Sequence, residues 1–126
     1  MITRAMFVTV CALMPQCATL DELVTEHFEP DDRELMLEVA WCESSAKPED
    51  QWSTSINKKS GASGWFQHLP KWWDERSTKA GYEGAHILDP NANVAVASWL
   101  YYNMDSNERW GGASHWYPSR RCWGGK

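Results

Sequence analysis

Asp31 to Ser45, DDRELMLEVAWCESS, is the stretch that decides the fold. Leu35, Met36, Val39 and Ala40 recur at spacings of three and four, the repeat of an α-helix with one apolar face. Asp31 followed three residues later by Glu34 reads as a capping box at its start. Ser44, Ser45, Lys47 and Pro48 break the pattern after about Cys42 or Glu43. Glu43 lies three residues after Ala40 and seven after Met36, so it continues the apolar stripe instead of facing water. It also sits at the negative end of the helix dipole. Both placements disfavour the carboxylate, and Glu43 is expected to keep its proton to higher pH than an exposed Glu. A general acid needs that property. A helix-end Glu bonded to a neighbouring turn is the alternative that spacing alone leaves open.

Upstream, Leu20, Leu23, Val24 and His27 recur at helical spacing from Thr19 to Phe28, with Thr19 as a cap and Pro30 as a stop. Met1 to Arg4 carries one positive charge, Ala5 to Met14 is mostly apolar, and Pro15 breaks the run, which is the layout of a signal peptide cut after Ala18. A packed N-terminal helix is the competing reading. Residues 1–18 are thus expected to be a leader and residues 19–126 a single domain.

Downstream, Glu49 to Ser60 is polar apart from Trp52 and Ile56 and reads as loop. Gly61 to Gly64 forms a tight glycine turn, and Trp65 to Leu69 alternates weakly, as a short strand or extended segment would. Pro70 opens a short helix through Arg76 that carries Trp72 and Trp73, and Gly81 to Leu88 is loop. Asp89-Pro90 opens a second strong helix, on which Val94, Ala97, Tyr101 and Met104 form one stripe beside Val96 and Leu100. The tail from Arg109 to Trp123, rich in Trp, Gly and Ser, is expected to be irregular. The pattern gives a mainly α domain with a short glycine turn or β segment.

Composition narrows the function. Nine Trp in 126 residues exceed ordinary usage. About half are expected in the core and the rest along a groove, where flat rings suit the apolar C–H faces of sugars. A net charge of −5 without a Lys/Arg run argues against nucleic acid, and it requires any contact to an anionic wall polymer to be local. No apolar run reaches the roughly eighteen residues of a membrane span. Of four Cys, Cys11 and Cys17 fall in the leader, leaving Cys42 and Cys122 as an even pair in an exported chain. Neither CxxC, CxxH nor HExxH spacing occurs, and His27, His68, His86 and His115 are scattered, so no metal or cofactor is expected.

Five features recur in a specific order: WCESS at Trp41 to Ser45, Pro48, GASGWFQHLP from Gly61, Trp72, and DPNANVAVASWL from Asp89. From Leu35 to about Tyr102 the chain resembles the lytic transglycosylase and goose-type lysozyme family of the lysozyme-like superfamily. The resemblance implies an α+β lysozyme-like fold in which Glu43 is the catalytic acid and Gln67 contacts the sugar beside the scissile bond. Ser44, Gly64, Trp65 and Trp72 are the neighbouring substrate-contact candidates, and Gly61 and Gly64 would let the backbone approach the glycan. The family's Ala-Tyr-Asn motif has no match after the second helix. Tyr101-Tyr102-Asn103 is similar in letters but lies within that helix, which makes Tyr102 a substrate-contact candidate and Tyr101 core. A second similarity, to resuscitation-promoting factors, pairs Cys42 with the Cys122 of HWYPSRRC, ties the tail to the active-site helix and adds His115 and Trp116 to the candidates.

The implied reaction cuts peptidoglycan at the β-1,4 bond between N-acetylmuramic acid and N-acetylglucosamine, by a monomer secreted to the wall or periplasm or delivered there as a phage product. A hydrolytic lysozyme is the near alternative. A non-catalytic peptidoglycan- or chitin-binding module is the distant one, and it would gain nothing from a buried carboxylate. A nucleophile would stand about 5 Å from the acid, and a base about 6.5 to 9.5 Å away. Glu49, Asp50, Asp74, Glu75, Glu83 and Asp89 lie in polar loops or short helices, and none stands out as that partner. The family resemblance offers another route, in which the substrate's N-acetyl group assists departure and its 6-hydroxyl attacks.

Overall fold

The computed structural model describes residues 18–104 and 109–124, so the expected leader, with Cys11 and Cys17, lies outside the described residues except for Ala18. The chain is mainly helical. It runs through α1 (Leu20–His27), α2 (Pro30–Ser44), α3 (Pro70–Lys79) and α4 (Pro90–Asn103), then a 3-10 segment (Gly112–Ser119) and the short α5 (Arg120–Trp123).

Helix α1 opens on a reciprocal cap: the Thr19 hydroxyl accepts the Glu22 N–H at 3.1 Å and the Glu22 carboxylate accepts the Thr19 N–H at 2.9 Å. Helix α2 does not begin with the capping box expected at Asp31. Glu29 is its N-cap, without a side-chain cap bond, and Pro30 takes the first turn. Proline suits that place because its fixed φ is already helical and the N–H it lacks would have gone unpaired. Asp31 and Asp32 follow in the first turn, where the helix dipole favours them. At the other end Ser45 turns left-handed (φ 61°) while its N–H bonds to the Trp41 carbonyl at 2.7 Å, and the chain leaves the helix directly after Glu43 and Ser44.

Residues 65–69 form no strand. Ser63 makes isolated antiparallel bridges to Ile56 and His68, and the chain turns between them. Gly61, Gly64 and Gln67 all have positive φ (79°, 81° and 52°), which an extended segment cannot accommodate. The turn buries the consecutive residues Trp65 and Phe66, whereas a strand would send them to opposite faces.

Helix α4 is central. Asp89 caps it by accepting the Ala92 N–H at 2.8 Å, and every residue from Ala92 to Ala97 is buried, so it is enclosed on all sides where the sequence suggested one stripe. It packs on α1, α3 and the 3-10 segment, and α2 packs on α1, α5 and the same segment. Their shared core contains Leu20, Val24, Met36, Val39, Phe66 and Val94.

The tail is ordered, contrary to the irregular chain expected of it. Trp116 and Trp123 are buried anchors, and the Cys42–Cys122 disulfide, with its Cα atoms 5.9 Å apart, holds α5 against the end of α2. At Gly112 a Cβ would come within 2.5 Å of Tyr101, so only glycine lets the 3-10 segment pack this closely on α4. Gly112, part of the composition that suggested irregularity, serves this close approach.

Candidate active site

A cleft of about 280 Å³ opens where α2 ends, lined by Glu43, Phe66, Gln67, His68, Leu69, Trp72, Arg76, Leu100, His115, Trp116 and Pro118. One wall is the glycine turn and the other is the tail. Glu43 is half-buried between them. Burial raises its carboxyl above the ordinary Glu value, and a hydrogen bond from Ser119 offsets part of that rise. The Ser119 hydroxyl lies 2.5 Å from Glu43 Oε2 and 3.0 Å from the Trp116 carbonyl oxygen, and it receives the Trp123 indole N–H at 2.9 Å.

The turn wall hangs on Asn93, which is buried in α4. Its amide nitrogen donates to the carbonyls of Ile87 (2.8 Å) and Ser63 (3.2 Å), its side-chain oxygen accepts the Phe66 N–H (3.0 Å), and its backbone carbonyl meets His68 Nε2 at 2.8 Å. Full burial pushes His68 down to about 4, helped by the nearby Arg76 charge and opposed by the bond to Asn93, so this ring is neutral near pH 7. At Gly64 a Cβ would stand 2.2 Å from Asn93 Nδ2. The glycine therefore serves packing against α4. Gln67, left-handed at the bend, donates its amide to the Gly64 carbonyl at 3.0 Å.

Trp116 joins the walls: its indole N–H donates to the Phe66 carbonyl at 3.0 Å, and the two rings lie 5.8 Å apart. At the outer lip Trp72 is 41% exposed, with Lys71 and Arg76 each 5.4 Å from its ring centre.

Of the residues expected at the site, Glu43, Gln67, Trp72, His115 and Trp116 line this cleft. Ser44, Gly64, Trp65 and Tyr102 lie outside it. The Ser44 hydroxyl bonds inward to the carbonyls of Trp65 (2.9 Å) and Ala40 (3.1 Å), and Trp65 is 1% exposed. Tyr102 lies at the opposite end of α2, where its hydroxyl donates to Asp32 at 2.6 Å and accepts the Glu29 N–H at 2.9 Å. Burial and the Asp32 carboxylate push this phenol up to about 12.

Sequence reasoning missed Asn93, Ser119 and Trp123. The last pair had a signal, since Ser119 and Trp123 are one helical turn apart and bracket Cys122. Glu43 is the one carboxylate among the lining residues. Asp50 instead closes the loop after α2, accepting the Lys47 N–H at 2.8 Å, Glu75 pairs with Lys79 at 3.1 Å, and Asp89 caps α4. Among the described residues no helix is long and apolar enough to cross a membrane, and no three His, Cys, Asp or Glu cluster as a metal site would require. Compared with protein-family models, curated proteins and solved structures, the chain gives no match.

Proposed function

We propose that this chain cleaves peptidoglycan glycan strands as a lytic transglycosylase on a lysozyme-like fold, with Glu43 as the acid. The observation that carries the reading is a half-buried carboxyl group in an open cleft, its pKa raised by burial, with the exposed ring of Trp72 lining the same cleft. Burial lets such a group keep its proton to higher pH than an exposed Glu, the direction that a general acid requires, and an aromatic face holds a pyranose ring. The motif order in the sequence supports the same assignment. Local positive charge supports a wall polymer as ligand: Arg109, Arg120 and Arg121 gather with Trp110 and Tyr117 around a second groove formed partly by the tail that borders the cleft.

Among the described residues no second carboxylate lines the cleft beside Glu43, which favours substrate assistance over an enzyme nucleophile. In the proposed course Glu43 protonates the glycosidic oxygen as its bond to the muramyl anomeric carbon breaks and the substrate's N-acetyl group stabilises that carbon. The muramyl 6-hydroxyl then attacks the same carbon and gives its proton to the Glu43 carboxylate. The acid is restored and no water is consumed. A hydrolytic lysozyme would share the cleft and the acid but add water.

Purified protein acting on isolated sacculi, beside Glu43→Gln, tests this. The amide keeps the shape but has no acidic proton, so cleavage should fall on the order of a hundredfold or more while the fold and glycan binding persist. Turnover near that of the parent would refute the assignment. Mass spectrometry of the products separates the two enzymes: 1,6-anhydromuramyl ends lack one water, and predominantly reducing ends would give the reaction to a lysozyme.

A further inference from the structure

We infer that Ser119 is a positioning residue for Glu43: its hydroxyl holds Oε2 and leaves Oε1 as the oxygen that exchanges a proton with a bound ligand. This rests on Glu43 being the acid, but the arrangement stands on the geometry of three bonds at one oxygen. A serine hydroxyl has one hydrogen and two lone pairs. The Trp123 indole N–H, which can only donate, occupies one lone pair at 2.9 Å and fixes where Oγ sits. The single hydrogen is then aimed at Glu43 Oε2, 2.5 Å away, with the Trp116 carbonyl at 3.0 Å as the alternative acceptor.

Two consequences follow. With Oε2 accepting from Ser119, the acid proton resides on Oε1, which accepts no hydrogen bond from the described residues. The serine bond is also stronger to the carboxylate than to the neutral acid, so it pulls against burial and keeps Glu43 able both to release a proton and to take one back. Burial favours the second half of the proposed reaction, in which the carboxylate takes a proton, and the serine bond favours the first, in which the acid releases one. When a proton does reach Oε2, the hydroxyl turns to the Trp116 carbonyl, so neither group is left unpaired. Cys122 lies between Ser119 and Trp123, and its bond to Cys42, the residue before Glu43, holds the two halves of the arrangement together.

The test is a carboxyl-carbon NMR titration of Glu43 in the full chain without ligand, together with the pH profile of cleavage. Ser119→Ala should raise the Glu43 midpoint by about one pH unit, the scale of one lost charge-assisted hydrogen bond. The high-pH limb of kcat/KM should move upward by the same amount, because the protonated form is the active one. Ser119→Thr, which keeps the hydroxyl, should stay near the parent. Trp123→Phe should raise the midpoint by about half a unit, since the hydroxyl loses the donor that polarises it, and this variant decides the matter if Ser119→Ala does not fold. A midpoint unmoved in a folded Ser119→Ala or Trp123→Phe protein would overturn the inference. The titration needs no catalysis, so a chain that cuts no glycan would sink the proposed function and leave this result readable.

Discussion

The two walls of the cleft are built by opposite means. The turn wall, residues 61–68, is a short local loop hung by hydrogen bonds on one buried side chain, Asn93. The tail wall, residues 115–123, comes from the far end of the described chain and is held by a covalent bridge, two buried indoles and one serine. A wall of satisfied buried polar groups fails when any member is removed, because each orphan then carries its full desolvation cost. A wall held by a bridge and apolar anchors can come away while the rest of the fold remains. Glu43 thus stands between a side hung on hydrogen bonds to one residue and a side fastened by a covalent bridge.

The sharpest way to separate the walls is to cut the bridge. Cys42→Ser with Cys122→Ser removes a link across 80 residues, for which chain entropy gives a loss of about 4 kcal/mol. Chemical denaturation measures the loss, and amide hydrogen exchange should show residues 112–123 deprotected while residues 61–68 keep their protection. Equal deprotection of both walls would mean that they form one cooperative unit and would break the comparison.

Asn93→Ala attacks the other side. It leaves the Phe66 N–H and the carbonyls of Ser63 and Ile87 without their partner, at about 1 kcal/mol or more each, so about 3 kcal/mol in all. The melting temperature should fall accordingly, with the exchange pattern reversed: the turn opens first. Retention of the turn's protection would show that the glycine bends hold it without Asn93.

The smallest effect is a difference in pH dependence. His68 has a folded value of about 4, below its ordinary 6.5, so the unfolded chain binds more protons between those limits. The stability that this group contributes is complete above about pH 6.5 and is lost as pH falls, by about 2 kcal/mol at pH 5. Glu43 acts in the opposite sense. Its raised value means that the unfolded chain ionises first, so stability is lost as pH rises above the ordinary Glu range. Glu43→Gln removes only the second effect, and its stability relative to the parent should rise as pH rises above the ordinary Glu range. An advantage independent of pH would contradict the burial of this carboxyl.

The walls also differ in how far the sequence announces them. Glycines at 61 and 64, with Pro70 after them, mark a turn because positive φ has few other sources, and Glu43 follows from the register of Met36 and Ala40 on one helix face. The strand expected at residues 65–69 failed because Gln67, which seldom adopts a left-handed conformation, does so here. Trp65 and Tyr102, named as candidates from the sequence, lie outside the cleft for a reason of another kind. An aromatic residue carries no mark of whether it meets a ligand, the core or a carboxylate on another helix, and only the packing of α2 and α4 on α1, which brings Tyr102 to Asp32, decides. The tail was least legible: its order comes from contacts to residues about eighty positions earlier, which no local pattern encodes.

That separation bears on the order of assembly. Helix α2 and the glycine turn close through neighbouring elements, but the bond from Ser119 to Glu43 spans 76 positions, and loops of that length close after local structure has formed. In a chain made from its N-terminus, helix α2 can therefore form before the groups that steady the Glu43 carboxyl have been synthesised. Whatever Glu43 does, it does last, once Trp123 has docked.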